Sequence, residues 1–282
     1  MEQGHKNVGN HFYRNDVLMT GDDGIEADYS VRNVTFYDNL ITNSMTLVSL
    51  DPLYAGPFIA ARNTGINIGR QSYKCNSLES GFFLYNNTIV RTHNSNPNYE
   101  NSKDMAWRQD TPYQQKLRSW GFQNNITMYV GGAVYGGDVM VIQPGVCNPI
   151  DFSYNSWYPT GHFDWVETAP PEARHCTLTK CWSLLDPRTP VFSDSTRRHG
   201  TNSGVTDNIS EANPFVTPIT LGSDKNILIT TYYTPTLANG TAPKNSGVPI
   251  VGITDGYSGT APDRGAIISG RSIPILGDRS LF

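Results

Sequence analysis

Four carboxylates crowd into the stretch TGDDGIEADYS, residues 20–30: Asp22, Asp23, Glu26 and Asp28. Carboxyl pairs of this kind hydrolyse glycosidic bonds. One protonates the leaving oxygen, and the other activates water or attacks the sugar. Separations of about 5 Å go with retention and about 6.5–9.5 Å with inversion. A group of carboxylate oxygens also holds Ca2+. Asp22 and Asp23 are adjacent, so on a regular strand they point apart. They converge only at a turn or bulge, which the flanking glycines permit. Crowded like charges raise the pKa of one member and supply the protonated acid that hydrolysis needs. A solvated acidic turn without chemistry is the third reading.

The elements that must position these residues show in an internal period. Asn15, Asn39, Asn63 and Asn87 are spaced by 24 residues. Phe12, Phe36, Ala60 and Leu84 lie three residues before them, Tyr13, Tyr37, Ala61 and Tyr85 two before, and Val17, Ile41, Gly65 and Ile89 two after. The period then loosens, with Asn125 and Asn155 following insertions. Alternating strand-sized motifs at a fixed period mean a solenoid of stacked coils. A leucine-rich repeat also carries an Asn here, and Val31, Val34, Phe36, Asn39 and Ile41 fit it. Leucine is sparse elsewhere, however, and no amphipathic helix pattern fills the repeat. The Thr, Asn, Gly and aromatic content favours an all-β parallel β-helix. In such a stack equivalent positions lie about 4.8 Å apart. The Asn column is expected to be a structural amide ladder. The Tyr column should face away from the Phe column, as a half-exposed aromatic ladder or a platform for sugar rings.

The register predicts what stands beside the carboxylates. Adding 24 and 48 to Asp22 gives Thr46 and Arg70, and the same steps from Glu26 give Leu50 and Lys74. The carboxylates then face a basic pair about 10 Å away over two coils. Such a mixed-charge strip suits an extended acidic polymer, with Arg70 and Lys74 binding it. In a Ca2+-dependent lyase, Arg70 or Lys74 would serve as base or charge clamp.

Composition narrows the field. The chain has 282 residues, 38% apolar, with a formal charge of −4. Charged residues are 16%, below the usual level of about 25%. No basic excess points to nucleic acid. No apolar run approaches the roughly 20 residues of a membrane span, and no signal peptide opens the sequence. The first residues read like the middle of a repeat, so further coils are expected upstream. Cys75, Cys147, Cys176 and Cys181 lack zinc-ribbon spacing; they read as free thiols or one local disulfide.

Residues 1–190 are expected to form the coils, with an insertion at about 92–120 that carries Trp107, Arg108 and Trp120. Those side chains either bind sugar or pin the loop to the coils. His162 and Asp164 could pair, although a His in such a loop is usually structural. Residues 191–282 turn polar and loop-like, with KNILITTYY as one expected strand. They would cap the solenoid or form a trimerisation region.

The coils over residues 1–160, with their Asn and aromatic ladders, resemble the right-handed parallel β-helix superfamily of pectate lyases and polygalacturonases. GDDGIE resembles the Gly-Asp-Asp motif of the polygalacturonases, which are inverting hydrolases. The Gly-His-Gly and Arg-Ile-Lys signatures of that family are absent from the following coils. GDDGIE together with SGFFLYNNTIV also resembles β-helix proteins among secreted bacterial enzymes and phage tailspikes, which bind or cleave polysaccharides. The resemblance implies an extracellular or virion-associated glycoside hydrolase acting on an acidic polysaccharide, with no resident cofactor. Asp22 and Asp23 would be acid and base, Glu26 an auxiliary carboxylate, and Arg70, Lys74, Trp107, Arg108 and Trp120 would contact substrate. The alternatives are a Ca2+-using lyase and a non-catalytic glycan-binding or tailspike module. The implied partner is a polysaccharide, not nucleic acid or a membrane, and the implied state is a monomer or homotrimer.

Overall fold

In the segments Val34–Tyr37 and Phe82–Tyr85, buried and half-exposed residues alternate strictly. One face of an extended strand therefore supplies core while the other meets solvent. The computed structural model describes residues 7–50, 53, 56–69, 72–75, 81–92, 107–109, 120–130, 138–141, 149–158, 162–164, 213–221 and 228–276. Among these, all regular elements are strands and every named strand pair is parallel. No described helix is long and apolar enough to cross a membrane.

Three sheets carry the architecture. The first contains His11–Tyr13, Val34–Tyr37, Phe58–Ala61, Phe82–Tyr85, Trp120–Gln123 and Pro149–Ser153. The second contains Asp16–Val17, Leu40–Ser44, Thr64–Ile68, Thr88–Thr92, Ile126–Val130 and Ser156–Tyr158. The third contains Ile25–Glu26, Val48–Ser49, Tyr73–Cys75 and Trp107–Gln109. On successive passes the chain visits first, second and third sheet in the same order. The 24-residue spacing is the pairing register: Val34 pairs with Phe58 and Phe58 with Phe82, while Leu40 pairs with Thr64 and Thr64 with Thr88. The segment Trp107–Gln109, expected within a loop insertion, is instead a strand of the third sheet.

The main core draws on all three sheets: Phe36, Phe58 and Phe82 from the first, Ile41, Ile68 and Ile89 from the second, Val48 and Tyr73 from the third. Phe12 and Phe36 stack at 4.9 Å on the inner face, and Tyr13 and Tyr37 stack at 4.9 Å on the outer one. Tyr13 is 50% exposed.

At the corner between the first and second sheets the chain must turn within two residues. Arg14, Asp38, Arg62, Asn86, Asn124 and Tyr154 all take positive φ there, between 52° and 58°. Each is followed by an Asn of the ladder. The backbone N–H and Nδ2 of Asn39 both donate to Oδ1 of Asn63, whose own N–H and Nδ2 donate to Oδ1 of Asn87. Asn87 repeats the pattern on Asn125, and Asn125 on Asn155. Each Nδ2 also reaches a strand-end carbonyl, as from Asn63 to Phe36. The left-handed residue gives its own N–H to a backbone carbonyl of the next repeat, as Asp38 to Ala61 O and Arg62 to Tyr85 O. The N–H of the Asn that follows it is satisfied by the side-chain oxygen of the next Asn in the ladder; buried backbone groups must find such partners.

The second sheet is buried on both faces. Leu40–Ser44 and Thr64–Ile68 have no exposed position. Ile41 and Ile89 point into the main core, whereas Leu40, Ile66, Val90, Ile126 and Met128 form a second cluster with Phe215, Ile219 and Leu237 of the C-terminal segment. That segment packs against successive strands of the second sheet. Its described part has little regular structure beyond an isolated antiparallel bridge, Phe215 to Leu237. Residues 228–233, from the expected strand KNILITTYY, form no strand. There the backbone of Ile229 is engaged by the side-chain amide of Asn43 instead. Gly265 allows close approach: a Cβ there would sit 2.6 Å from Thr88 Oγ1. Arg264, 1% exposed, donates to Asn155 O and Ser156 Oγ.

Candidate functional site: a carboxylate cluster on the third sheet

The turn bearing Asp22 and Asp23 is tied by its backbone to the segment at Met45 and Thr46. Met45 N–H donates to Asp22 O and Gly24 N–H to Thr46 O, both at 2.9 Å. Ser44 Oγ and Thr20 Oγ1 also donate to Asp22 O. Gly24 lets the turn lie flat, because a Cβ there would meet Ile41 Cγ2 at 2.6 Å and Leu47 O at 3.1 Å. This non-strand geometry resolves the opposed directions of neighbouring side chains. One carboxylate oxygen each of Asp22, Asp23 and Glu26 lies within 4.8 Å of the others.

The three differ in setting. Asp22 and Glu26 are exposed and Asp23 is buried. The Asp23 side chain is 1% exposed, with Oδ1 accepting from Thr46 Oγ1 at 2.5 Å and Oδ2 from Lys74 Nζ at 3.1 Å. Ser49 Oγ donates to Asp28 Oδ1 at 2.7 Å. Partial burial pushes the Glu26 carboxyl above its usual value, and the charges of Asp28, Asp23 and Asp22 push the same way against the opposing Lys74. Burial acts to lower the Lys74 ammonium. Attraction to Asp23 and the hydrogen bond between them outweigh it, so Lys74 is held above its usual value.

The sequence places Glu26 and Lys74 in one column, and they stand in one, but through Ser49 rather than Leu50. The third sheet steps by 23 residues and then 25, from Ile25 to Val48 to Tyr73. That slip brings Thr46 to Asp23, not Asp22. It also makes Lys74 the ion-pair partner of Asp23, although its column partner is Glu26. Both oxygens of Asp23 are engaged in a closed setting, whereas Asp22 and Glu26 are exposed. The accessible pair is Asp22 and Glu26. The strict 24-residue count reaches Thr46 only as the neighbour of Asp22, and it points past Ser49 to Leu50.

Arg108 pairs in register with Lys74, and so extends the column Glu26–Ser49–Lys74 by one coil. Trp107 pairs with Tyr73 in the third sheet and Trp120 with Pro149 in the first. The side chains of Trp107, Arg108 and Trp120 lie outside the described residues, as does Arg70. His162 and Asp164 belong to a strand paired with Asp138–Val141, their side chains also outside the description. Cys147, Cys176 and Cys181 are outside it too. Asp22, Asp23 and Glu26 are the residues that could hold a divalent cation, with oxygen donors suited to Ca2+. Lys74 already supplies a positive charge to Asp23. Comparison with known proteins finds no matching family model, no similar curated protein and no similar solved structure.

Proposed function

We propose that the three sheets are the faces of a right-handed parallel β-helix and that the protein is an extracellular or virion-associated hydrolase of an acidic polysaccharide. The observation that carries this reading is a carboxyl held toward its protonated form, Glu26, with its oxygen within 4.8 Å of an exposed Asp22. Two carboxyl groups in contrasting environments are what acid–base division of labour requires. Glu26 donates its proton to the glycosidic oxygen as the bond to the anomeric carbon breaks. Asp22 attacks that carbon and forms a glycosyl ester. Water, deprotonated by Glu26, then releases the sugar and restores both groups. The short separation supports retention rather than inversion. Asp23 is a positioning residue that fixes Lys74, and Lys74 with Arg108 one coil further offers positive charge to acidic sugar units.

The test is reducing-end release from a panel of acidic and neutral polysaccharides, using wild type, Asp22→Asn, Glu26→Gln and Asp23→Asn. Cleavage by wild type with loss in Asp22→Asn and Glu26→Gln supports the assignment, and product anomer analysis reads the stereochemistry. No cleavage of any acidic polymer, or equal cleavage by all four proteins, defeats it. The triad of nearby oxygens also supports a Ca2+-dependent lyase, in which Asp23 would have to leave Lys74 free to act as base. Products absorbing in the ultraviolet, with activity lost to chelator, would select that reading instead.

A further inference from the structure

A cavity of about 370 Å³ lies where the C-terminal segment passes the corner of the first and second sheets. Its charged lining is Arg14, Arg62 and Arg271 against Asp38 and Asp255. The volume is that of a small-ligand site. The pairing inside it is uneven. Asp38 is consumed by Arg62, whose Nε and Nη2 reach its two oxygens at 2.8 and 3.0 Å, and Arg62 Nη1 donates to Ile253 O. Arg271 donates only to the backbone carbonyl of Asp255, while the Asp255 carboxylate accepts from Gly252 N–H. Arg14 is exposed, and its side chain meets no carboxylate among the described residues. Neither the Arg14 nor the Arg271 side chain is in a salt bridge among the described residues, although the Asp38 and Asp255 charges lie near Arg271. Burial first and then the nearby Arg62 charge hold Arg271 below its ordinary value against the opposing charges of Asp38 and Asp255, and a bound anion would act in the same sense as those carboxylates. Ile267, Ile268 and Pro274 supply an apolar wall.

The surroundings indicate which anion. Arg62 lies over the Tyr37 ring at 5.8 Å, and Tyr37 stacks on the half-exposed Tyr13. A cationic cavity with an apolar wall thus opens beside a flat aromatic face, the combination that takes a pyranose bearing a carboxylate. We propose that Arg14 and Arg271 form a binding site for the carboxylate of a hexuronate unit, at a corner separate from the third-sheet carboxylates, so that an acidic polymer is anchored away from where it is cut. This rests on the acidic-polysaccharide reading above, though not on the hydrolytic step.

The experiment measures binding of hexuronate oligosaccharides, their methyl-esterified uncharged counterparts and inorganic sulfate by titration calorimetry. It uses the full chain as wild type, Arg14→Asn, Arg271→Gln and Glu26→Gln. Asn tolerates the left-handed backbone of position 14, and circular dichroism checks each fold. The expected result is binding of the acidic oligosaccharide alone, about tenfold weaker for each arginine variant, with Glu26→Gln serving to keep the oligosaccharide uncut during the titration. Unaltered binding in both arginine variants, equal binding of the esterified sugar, or binding of sulfate only would overturn the proposal. Loss of cleavage with this binding intact would sink the hydrolase reading alone. Cleavage with no effect of the arginines would sink the anchor alone.

Discussion

Asn124 holds Val248 by both ends of one backbone residue: Val248 N–H donates to Asn124 Oδ1 at 2.9 Å, and Asn124 Nδ2 donates to Val248 O at 2.8 Å. Asn43 does the same to Ile229, with both distances 2.8 Å. Each side-chain amide thus stands in for a neighbouring strand. Both asparagines have positive φ, 57° and 60°, Asn124 at the corner between the first and second sheets and Asn43 near the end of Leu40–Ser44. Replacing Asn124 with Gly keeps the backbone conformation without strain and removes only the amide. The expected outcome is faster proteolytic cleavage within 228–276, with the coil segments protected as in wild type. Equal cleavage rates would show that the apolar contacts of Leu237, Phe215 and Ile219 hold the segment by themselves.

The Asn ladder is expected to be cooperative and steeply position-dependent. Asn63 is fully buried, and Asn39, Phe36 and Asn87 all hydrogen-bond with it. Truncation to Ala leaves several buried polar groups unsatisfied, at roughly 1–3 kcal/mol each. Asn63→Ala should therefore lose about 3 kcal/mol or more in chemical denaturation. Asn15→Ala, at an exposed position, should lose far less. Similar losses at both sites would mean that the ladder is decorative.

Most of the frame was legible in the sequence. Side chains must match at equivalent positions of stacked strands, so Asn, Phe and Tyr at fixed offsets betray the register, and the ladder from Asn15 to Asn87 follows the 24-residue count. The site was less legible, because its sheet does not keep that count. The steps of 23 and 25 around Val48 carry no repeated side-chain column that would mark them in the sequence. The flank segment was hidden for a related reason. KNILITTYY has the composition of a strand, but in its described part the backbone of Ile229 is held at both ends by the Asn43 side-chain amide, and residue-level propensity does not register a partner of that kind.

The ion pair between Lys74 and Asp23 is asymmetric, with Asp23 closed off and Lys74 partly open. Removing the cation alone leaves a buried carboxylate with only Thr46 for compensation. Such breaks cost about 3–5 kcal/mol when fully buried, and the partial exposure of Lys74 puts Lys74→Met at the lower end. The double variant Lys74→Met/Asp23→Asn should recover much of the loss, a coupling that a double-mutant cycle measures. Additive losses would show that the two side chains are energetically independent.

Glu26 sets the pH behaviour of the site. Its folded-state value is raised above the ordinary 4.5, so the folded protein holds this proton more tightly than the unfolded chain. The resulting stability is fully present below about 4.5 and is lost as pH rises through the folded value. Glu26→Gln removes the titration, so its stability should fall less than wild type over that window, leaving the variant relatively more stable near neutrality. Melting temperatures of both proteins across pH 4–7 read the effect directly. Lys74 follows the same sign at higher pH: its raised value keeps the pair with Asp23 intact below its ordinary 10.5, and the attraction fades as pH climbs through the folded value. Parallel wild-type and Glu26→Gln curves through the acid window would mean that Glu26 titrates as an ordinary surface carboxylate, and would leave the Asp22–Glu26 pair without its acid.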